Sequence, residues 1–429
     1  MTREIEYLNR LKSEIAPALG CTEPAAAALA AAYSAKELGE DPVRICLKVS
    51  PYIYKNGMNV GIPGTKMTGL DIASALGAVS AAPEKKLMVL NGISEDDLKK
   101  ALSLTEAGMV SVELADSDEK IYIEAFTASK KNRAKAVISK KHDYLTFLEK
   151  NGEILYTQVE TENPESLKKE ILSPVGELTL KDIRDFAMKV PYEKLYFLRD
   201  VVRLNREIAE EGLTKDYGLN VGQSILIKDR TGLFSQDIGG YAVALTAAAA
   251  DARMSGCEMP VMSAGGSGNQ GLTATLPIVA VSLKLNKSEE ETFRALAVSL
   301  LVTIHAKEYI GRLSVLCGCS IAAAIGSCCG IIFLFGGSLE QMEIGVNNMI
   351  ADISGVVCDG AKPGCALKIA TAVNSAIRWA NMALNGIGAG EHDGIVKADV
   401  EHTLRNLGRL GNQGMSQTND VILHMMLDR

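Results

Sequence analysis

Aromatic residues make up only 5% of this 429-residue chain, and no block of lysine or arginine stands out in it. Charges of both signs are spread along its length and leave a net charge of −7. The basic face and stacking side chains that nucleic-acid binding draws on are missing, so no nucleic-acid partner is expected. The N-terminus, Met1-Thr2-Arg3-Glu4-Ile5-Glu6, has no apolar signal-peptide core, and the chain reads as cytoplasmic. In a reducing compartment its nine cysteines point to metal binding, catalysis or burial rather than disulfides. Cys-x-x-Cys does not occur, which removes zinc ribbons, thioredoxin-type sites and bacterial-ferredoxin spacing. The five histidines include no pair with metal spacing on a helix face. Finally, no residue from Leu313 to Leu339 is charged. That run is long enough to cross a bilayer, but it carries Gly318, Gly326, Gly330, Gly336 and Gly337 and lacks flanking Trp and Tyr belts. It reads as a buried central helix, with no membrane partner.

Hydrophobic residues account for 47% of the chain, enough for two domains with a core each. An amphipathic helix is expected from Glu4 to Ala16, and a second from about Pro24 with Thr22 as N-cap. These residues, 1–39, are expected to pack on a helical domain. Val43 to Ser50 alternates as a strand, and further strands fit Lys86 to Leu90, Met109 to Leu114, Lys120 to Phe126, Arg133 to Ser139 and Glu153 to Gln158. With helices at Met67 to Leu76 and Ser94 to Leu104, residues 40–165 form a small α+β domain. Composition shifts near Thr161 to Glu165, and helices dominate residues 166–429. The expected fold class is α+β, with a mainly helical C-terminal domain.

Cysteine placement carries the chemistry. Cys21 sits just before a helix N-terminus, where free amides and the dipole stabilise a thiolate. Cys358 is set similarly, ahead of a glycine-containing turn and a helix starting near Pro363. Either of these is equally readable as a small buried residue. Cys317 and Cys319 form a Cys-x-Cys pair. Three thiolates from these places leave one metal position open, as a catalytic site requires. If Cys319 and Cys328 share one helix, they lie too far apart along it to hold one compact cluster, so Cys328 and Cys329 read as core, as do Cys46 and Cys257.

Two glycine-rich loops fit a small carboxylate: Gly57 to Lys66, containing Asn59, Thr65 and Lys66, and Gly265 to Gly271, containing Ser267, Asn269 and Gln270. Plain connecting turns are the alternative. His305 is a candidate acid or base, against a role as a satisfied core histidine. Lys66 and Lys362, each in a glycine-flanked loop, could carry pyridoxal phosphate, bind a carboxylate or lie in solvent.

Together, Gly20-Cys21-Thr22-Glu23-Pro24, Ser267-Gly268-Asn269-Gln270-Gly271, Cys317-Gly318-Cys319 and Cys358-Asp359-Gly360-Ala361-Lys362 resemble the L-cysteine desulfidase family over nearly the whole chain. The helical half is similar to the α-domain of bacterial iron–sulfur L-serine dehydratases. The resemblance implies an oxygen-sensitive [4Fe-4S] cluster held by Cys21, Cys358 and one of Cys317 and Cys319, with Cys319 favoured. It implies β-elimination of L-cysteine to pyruvate, ammonia and sulfide. Ser267, Asn269, Gln270, Asn59 and Thr65 would grip the amino-acid substrate, with Lys66 or Lys362, while Glu23, His305 and Lys307 are candidate bases. The C-terminal cysteine used by some serine dehydratases is absent, since the chain ends Met426-Leu427-Asp428-Arg429. Rival readings are an L-serine dehydratase, a pyridoxal-phosphate lyase and a non-catalytic iron–sulfur sensor. A homo-oligomer is left open.

Overall fold

The computed structural model describes residues 3–117, 119–158, 178–233, 237–311 and 313–428. The composition shift at Thr161 to Glu165, and with it the expected domain boundary, lies outside the described residues.

The fold is mixed α+β, with a six-stranded sheet in the N-terminal part and helices after it. Helix α1 (Arg3–Glu14) buries Tyr7, Leu8 and Leu11 on one side. It gives way to β1 (Ile15–Ala18), where Pro17 cannot continue a helix. After α2 (Thr22–Leu38) come β2 (Arg44–Val49), α3 (Pro51–Gly57), α4 (Leu70–Ser80) and α5 (Glu95–Glu106). The strands β3 (Val110–Leu114), β4 (Tyr122–Ala128), β5 (Arg133–Ser139), β6 (Leu145–Lys150) and β7 (Glu153–Thr157) complete the sheet in the order β3-β2-β4-β5-β6-β7. β2 and β3 run parallel, and the other pairs antiparallel. Ile45, Leu47 and Val49 of β2 point into the core shared with α2 and α4, while Arg44 and Lys48 face outward, as the period of two demands. The strand expected at Lys86 to Leu90 is instead a tight 3-10 turn over Pro83–Met88. Pro83 fixes its start, and Lys86 adopts φ 50°, outside the extended region a strand needs.

The rest is helical: α6 (Leu180–Lys189), α7 (Leu198–Thr214), α8 (Val221–Leu226), α9 (Ile238–Met254), the short β8 (Val261–Ala264), α10 (Gly268–Lys284), α11 (Glu289–Ile310), α12 (Ala322–Leu334), α13 (Leu339–Ile353), α14 (Cys365–Leu384), α15 (Val400–Arg409) and α16 (Thr418–Leu427). α12 is apolar on every side and is enclosed by α10, α11, α13 and α14, because no face of it can meet water. Among the described residues, no helix is long and apolar enough to cross a membrane. Ser288 and Glu291 bond reciprocally at the start of α11, the capping box that launches this 22-residue helix.

The two N-terminal helices separate. Tyr7, Leu8, Leu11 and Ile15 join the core of the helical part, whereas Ala26 to Ala32 of α2 join the core of the sheet. β1 pairs antiparallel with β8, setting Ile15 opposite Ala264 and Ala18 opposite Val261. The turn carrying Gly20 and Cys21 therefore lies where the two cores meet.

Candidate functional site

A short antiparallel contact brings two cysteine segments side by side. Leu316 bridges Val357, the Cys317 amide donates to Val356 O (2.9 Å), and the Cys358 amide donates to Val315 O (2.7 Å). Cys317 and Cys319 occupy the turn before α12, and their thiols are within hydrogen-bonding reach. Donation by Cys319 draws Cys317 down to about 5 and pushes Cys319 up. Burial raises Cys358, with the charge of Cys317 adding to it and Lys55 opposing. Cys365, at the start of α14, is pushed up to about 12 by burial and then by Cys317. Four cysteines thus act on one another electrostatically: 317, 319, 358 and 365. Cys365 was not among the expected ligands. It stands seven positions after Cys358, and that spacing was the signal available in the sequence.

Cys21 lies at the edge of this group. It packs with Val60 and Met254, against which Ala361 and Cys365 also lie. Its sulfur is hydrogen-bonded with Arg253, yet burial still lifts it to about 11. Among the described residues, no three His, Cys, Asp or Glu side chains converge tightly enough to hold a single metal ion. A thiol-rich set of this kind has the chemistry of an iron–sulfur site, since such clusters take thiolates as ligands.

Lysines brace this ring. Lys55 is fully buried and donates to Cys358 O (2.9 Å) and to Asn419 of α16; burial lowers its pKa. Lys362 pairs with Asp359 (2.6 Å) and donates to Asp359 O (2.9 Å), so its ammonium ties the loop between Cys358 and Cys365. Lys368 donates to Val357 O (2.9 Å) and to Asp359. Burial works against the Asp359 charge, but the two lysines hold its carboxyl below the usual range.

The Ser267–Gly271 segment is the start of α10. Ser267 Oγ is 3.9 Å from Cys319 Sγ. Asn269 accepts from Arg253 Nη1 (2.9 Å), and Gln270 Nε2 donates to Gly265 O (3.4 Å). Gly318, between the paired cysteines, lies so close to Gln270 that a Cβ there would stand 2.7 Å from Oε1 and 3.0 Å from Lys307 Nζ. Lys307 therefore reaches the cysteine turn. His305, two residues earlier and about 200° around the helix, faces away. Its Nε2 is 2.6 Å from Glu401 Oε2, and Tyr309 donates to the same carboxylate (3.1 Å). Glu23 is half-buried beside Cys21 and accepts from Asn56 Nδ2 (3.1 Å).

The other glycine-rich loop packs behind Cys21: Gly61 N donates to Met254 O (2.9 Å), and Val60 is buried against Met254. Asn59 is half-buried on it. Thr65 spends its hydroxyl within its own turn, donating to Ile62 O and accepting from Met67 N, and Lys66 is exposed. Arg253, which sequence reasoning missed, reads there as an ordinary basic residue in the last turn of a helix.

The family model described as serine dehydratase alpha chain matches residues 84–424. A UPF0597 protein of Clostridioides difficile is 45% identical over 424 residues, covering 98% of this chain and 99% of the relative. One from Oleidesulfovibrio alaskensis is 42% identical over 423 residues, covering 99% and 98%. Another, from Bacteroides fragilis, is 41% identical over 422 residues, covering 98% and 97%. With a match over most of its length and relatives this similar from end to end, the chain belongs to the serine dehydratase alpha chain family.

Proposed function

We propose that this protein is an L-cysteine desulfidase, turning L-cysteine and water into pyruvate, ammonia and hydrogen sulfide with a [4Fe-4S] cluster. The observation that carries the reading is the meeting of Cys317, Cys319, Cys358 and Cys365 beside the N-terminus of α10. Cys358, Cys365 and one of Cys317 and Cys319 are the ligands, with Cys21 at the rim as a further candidate. When bound, such a cluster supplies an iron that acts as a Lewis acid on the substrate's β-sulfur.

The chain's own residues do the remainder. The first turn of α10, with Ser267, Asn269 and Gln270, binds and orients the amino acid. Glu23 or Lys307 takes the α-proton on its carboxylate or amine, since both side chains reach the cysteine turns. As the C–S bond breaks, sulfide leaves with the bonding pair, and the enamine left behind is hydrolysed to pyruvate and ammonia. His305 takes no part, being held by Glu401 on the far side of α11. Lys362 is spoken for by Asp359, which argues against a pyridoxal-phosphate Schiff base there. We assign the reaction to the cytoplasm.

The family description favours a second reading, the same elimination from L-serine. Anaerobic purification, iron and sulfide analysis, and turnover of both amino acids on one sample decide between them. Faster release of pyruvate from cysteine, with sulfide, supports the desulfidase; faster release from serine replaces it. A yellow, iron-free protein that stays active in air overturns both.

A further inference from the structure

Two 17-residue helices begin around one guanidinium. α2 starts after Cys21 and α10 after Ser267, and neither N-cap side chain bonds its own helix. Both starts therefore keep free amides and a positive dipole end. Arg253, at the close of α9, ties them together: Nη2 donates to Gly20 O (2.7 Å) and Nη1 to Asn269 Oδ1 (2.9 Å). Its side chain lies against the first turn of α10, where a Cβ on Gly268 would stand 2.4 Å from Nε.

Arg253 is only 4% exposed, and its Nε has no hydrogen-bond partner among the described residues. Its partners there are a carbonyl, an amide oxygen and the Cys21 sulfur, none of them a carboxylate. A guanidinium always carries its charge and has five donors in a fork that matches a carboxylate. Buried charges are normally paired, so a buried arginine between two helix N-termini without an acidic partner is a place prepared for an incoming anion. One turn into α10, Gln270 Oε1 is buried and also without a partner, an acceptor suited to an ammonium group.

We propose that Arg253 binds the α-carboxylate of the amino-acid substrate, with Gln270 accepting from its ammonium group. This rests on the amino-acid lyase reading above and moves the carboxylate anchor from Lys66 and Lys362 to Arg253. Ser267, at the head of the same turn, is beside Cys319, so an amino acid anchored here has its β-substituent next to the cysteines.

L-alanine and L-alaninamide test it, because neither has a β-leaving group and binding is read without turnover. Calorimetry on the anaerobically purified protein should show L-alanine binding at least about tenfold tighter than the amide, the size of one charge-assisted hydrogen bond. Arg253→Gln should erase that preference. Asn269→Asp should erase it too, by giving the guanidinium a carboxylate of its own while keeping the fold's hydrogen bond. A preference that survives in Asn269→Asp overturns the assignment, and so does a wild-type protein that does not distinguish the two ligands. Should the preference be present and depend on Arg253 while neither cysteine nor serine yields pyruvate, the lyase reading falls and the carboxylate site stands.

Discussion

Cysteines and buried titratable side chains are found in two contrasting settings in this molecule. In the helical core, Cys328 and Cys329 of α12 are fully enclosed by apolar neighbours, and burial pushes both thiols up. The buried His305 there is paired with Glu401, whose carboxylate also accepts from Tyr309. Where chain segments end, the pattern reverses. Cys317, Cys319, Cys358 and Cys365 sit at turns and helix starts among Lys55, Lys362 and Lys368, and Arg253 is buried without a carboxylate. Residue type alone thus separates nothing; a thiol surrounded by side chains of the core fills space, and a thiol at a helix mouth beside cations is available to bind.

Four experiments break or sharpen that contrast. Cys358→Ala and Cys365→Ala should each lose most of their iron and at least about a hundredfold of activity, since losing a group that merely supports a ligand already costs about tenfold to a hundredfold. Cys46→Ala and Cys257→Ala should keep both, and wild-type iron content in the first pair would collapse the distinction. In the core, Glu401→Ala strands a buried histidine and should cost roughly 3 kcal/mol, read from urea midpoints; a loss within the noise would mean the pair is idle.

The same pair sets a pH dependence. Burial opposes the Glu401 charge, but hydrogen bonding and attraction from His305 win and hold its carboxyl below the ordinary range. A depressed folded value contributes stability above the unfolded value of about 4.3, and that contribution fades as pH falls through the folded one. The stability gap between wild type and Glu401→Gln should therefore narrow on titration from pH 6 to pH 3; a constant gap would contradict the sign. Smallest is Ser288→Ala, which removes one capping bond of α11 and should cost about 1 kcal/mol without touching iron content.

Strong periodicity was legible in the sequence. β2 and β5 read directly as strands, because each element's own residues decide its state. β1 did not read, since Ile15-Ala16-Pro17-Ala18 has no strand pattern and is extended only because β8 pairs with it. α3 and the 3-10 turn at Pro83 were lost to short length and to proline. In the site, Cys317, Cys319 and Cys358 were visible through motif spacing. Arg253 and Lys55 were not, because what marks them is burial beside residues hundreds of positions away, and Cys365 had only its spacing from Cys358 to mark it. His305 is close to the cysteine run in sequence, but its pairing with Glu401, 96 positions on, was not legible there.

The ribbon of β1 and β8 has a further consequence, for the order in which the molecule is made. A ribosome delivers Ile15 to Ala18 well before their partners Val261 to Ala264, and Lys55 well before Asn419, which it meets. Closing such sequence-distant contacts is slow, and an N-terminal thiol waits exposed until they form. Under the proposed function, the cluster would therefore be loaded only after these distant segments have met, and oxidants would reach Cys21 before its neighbours arrive.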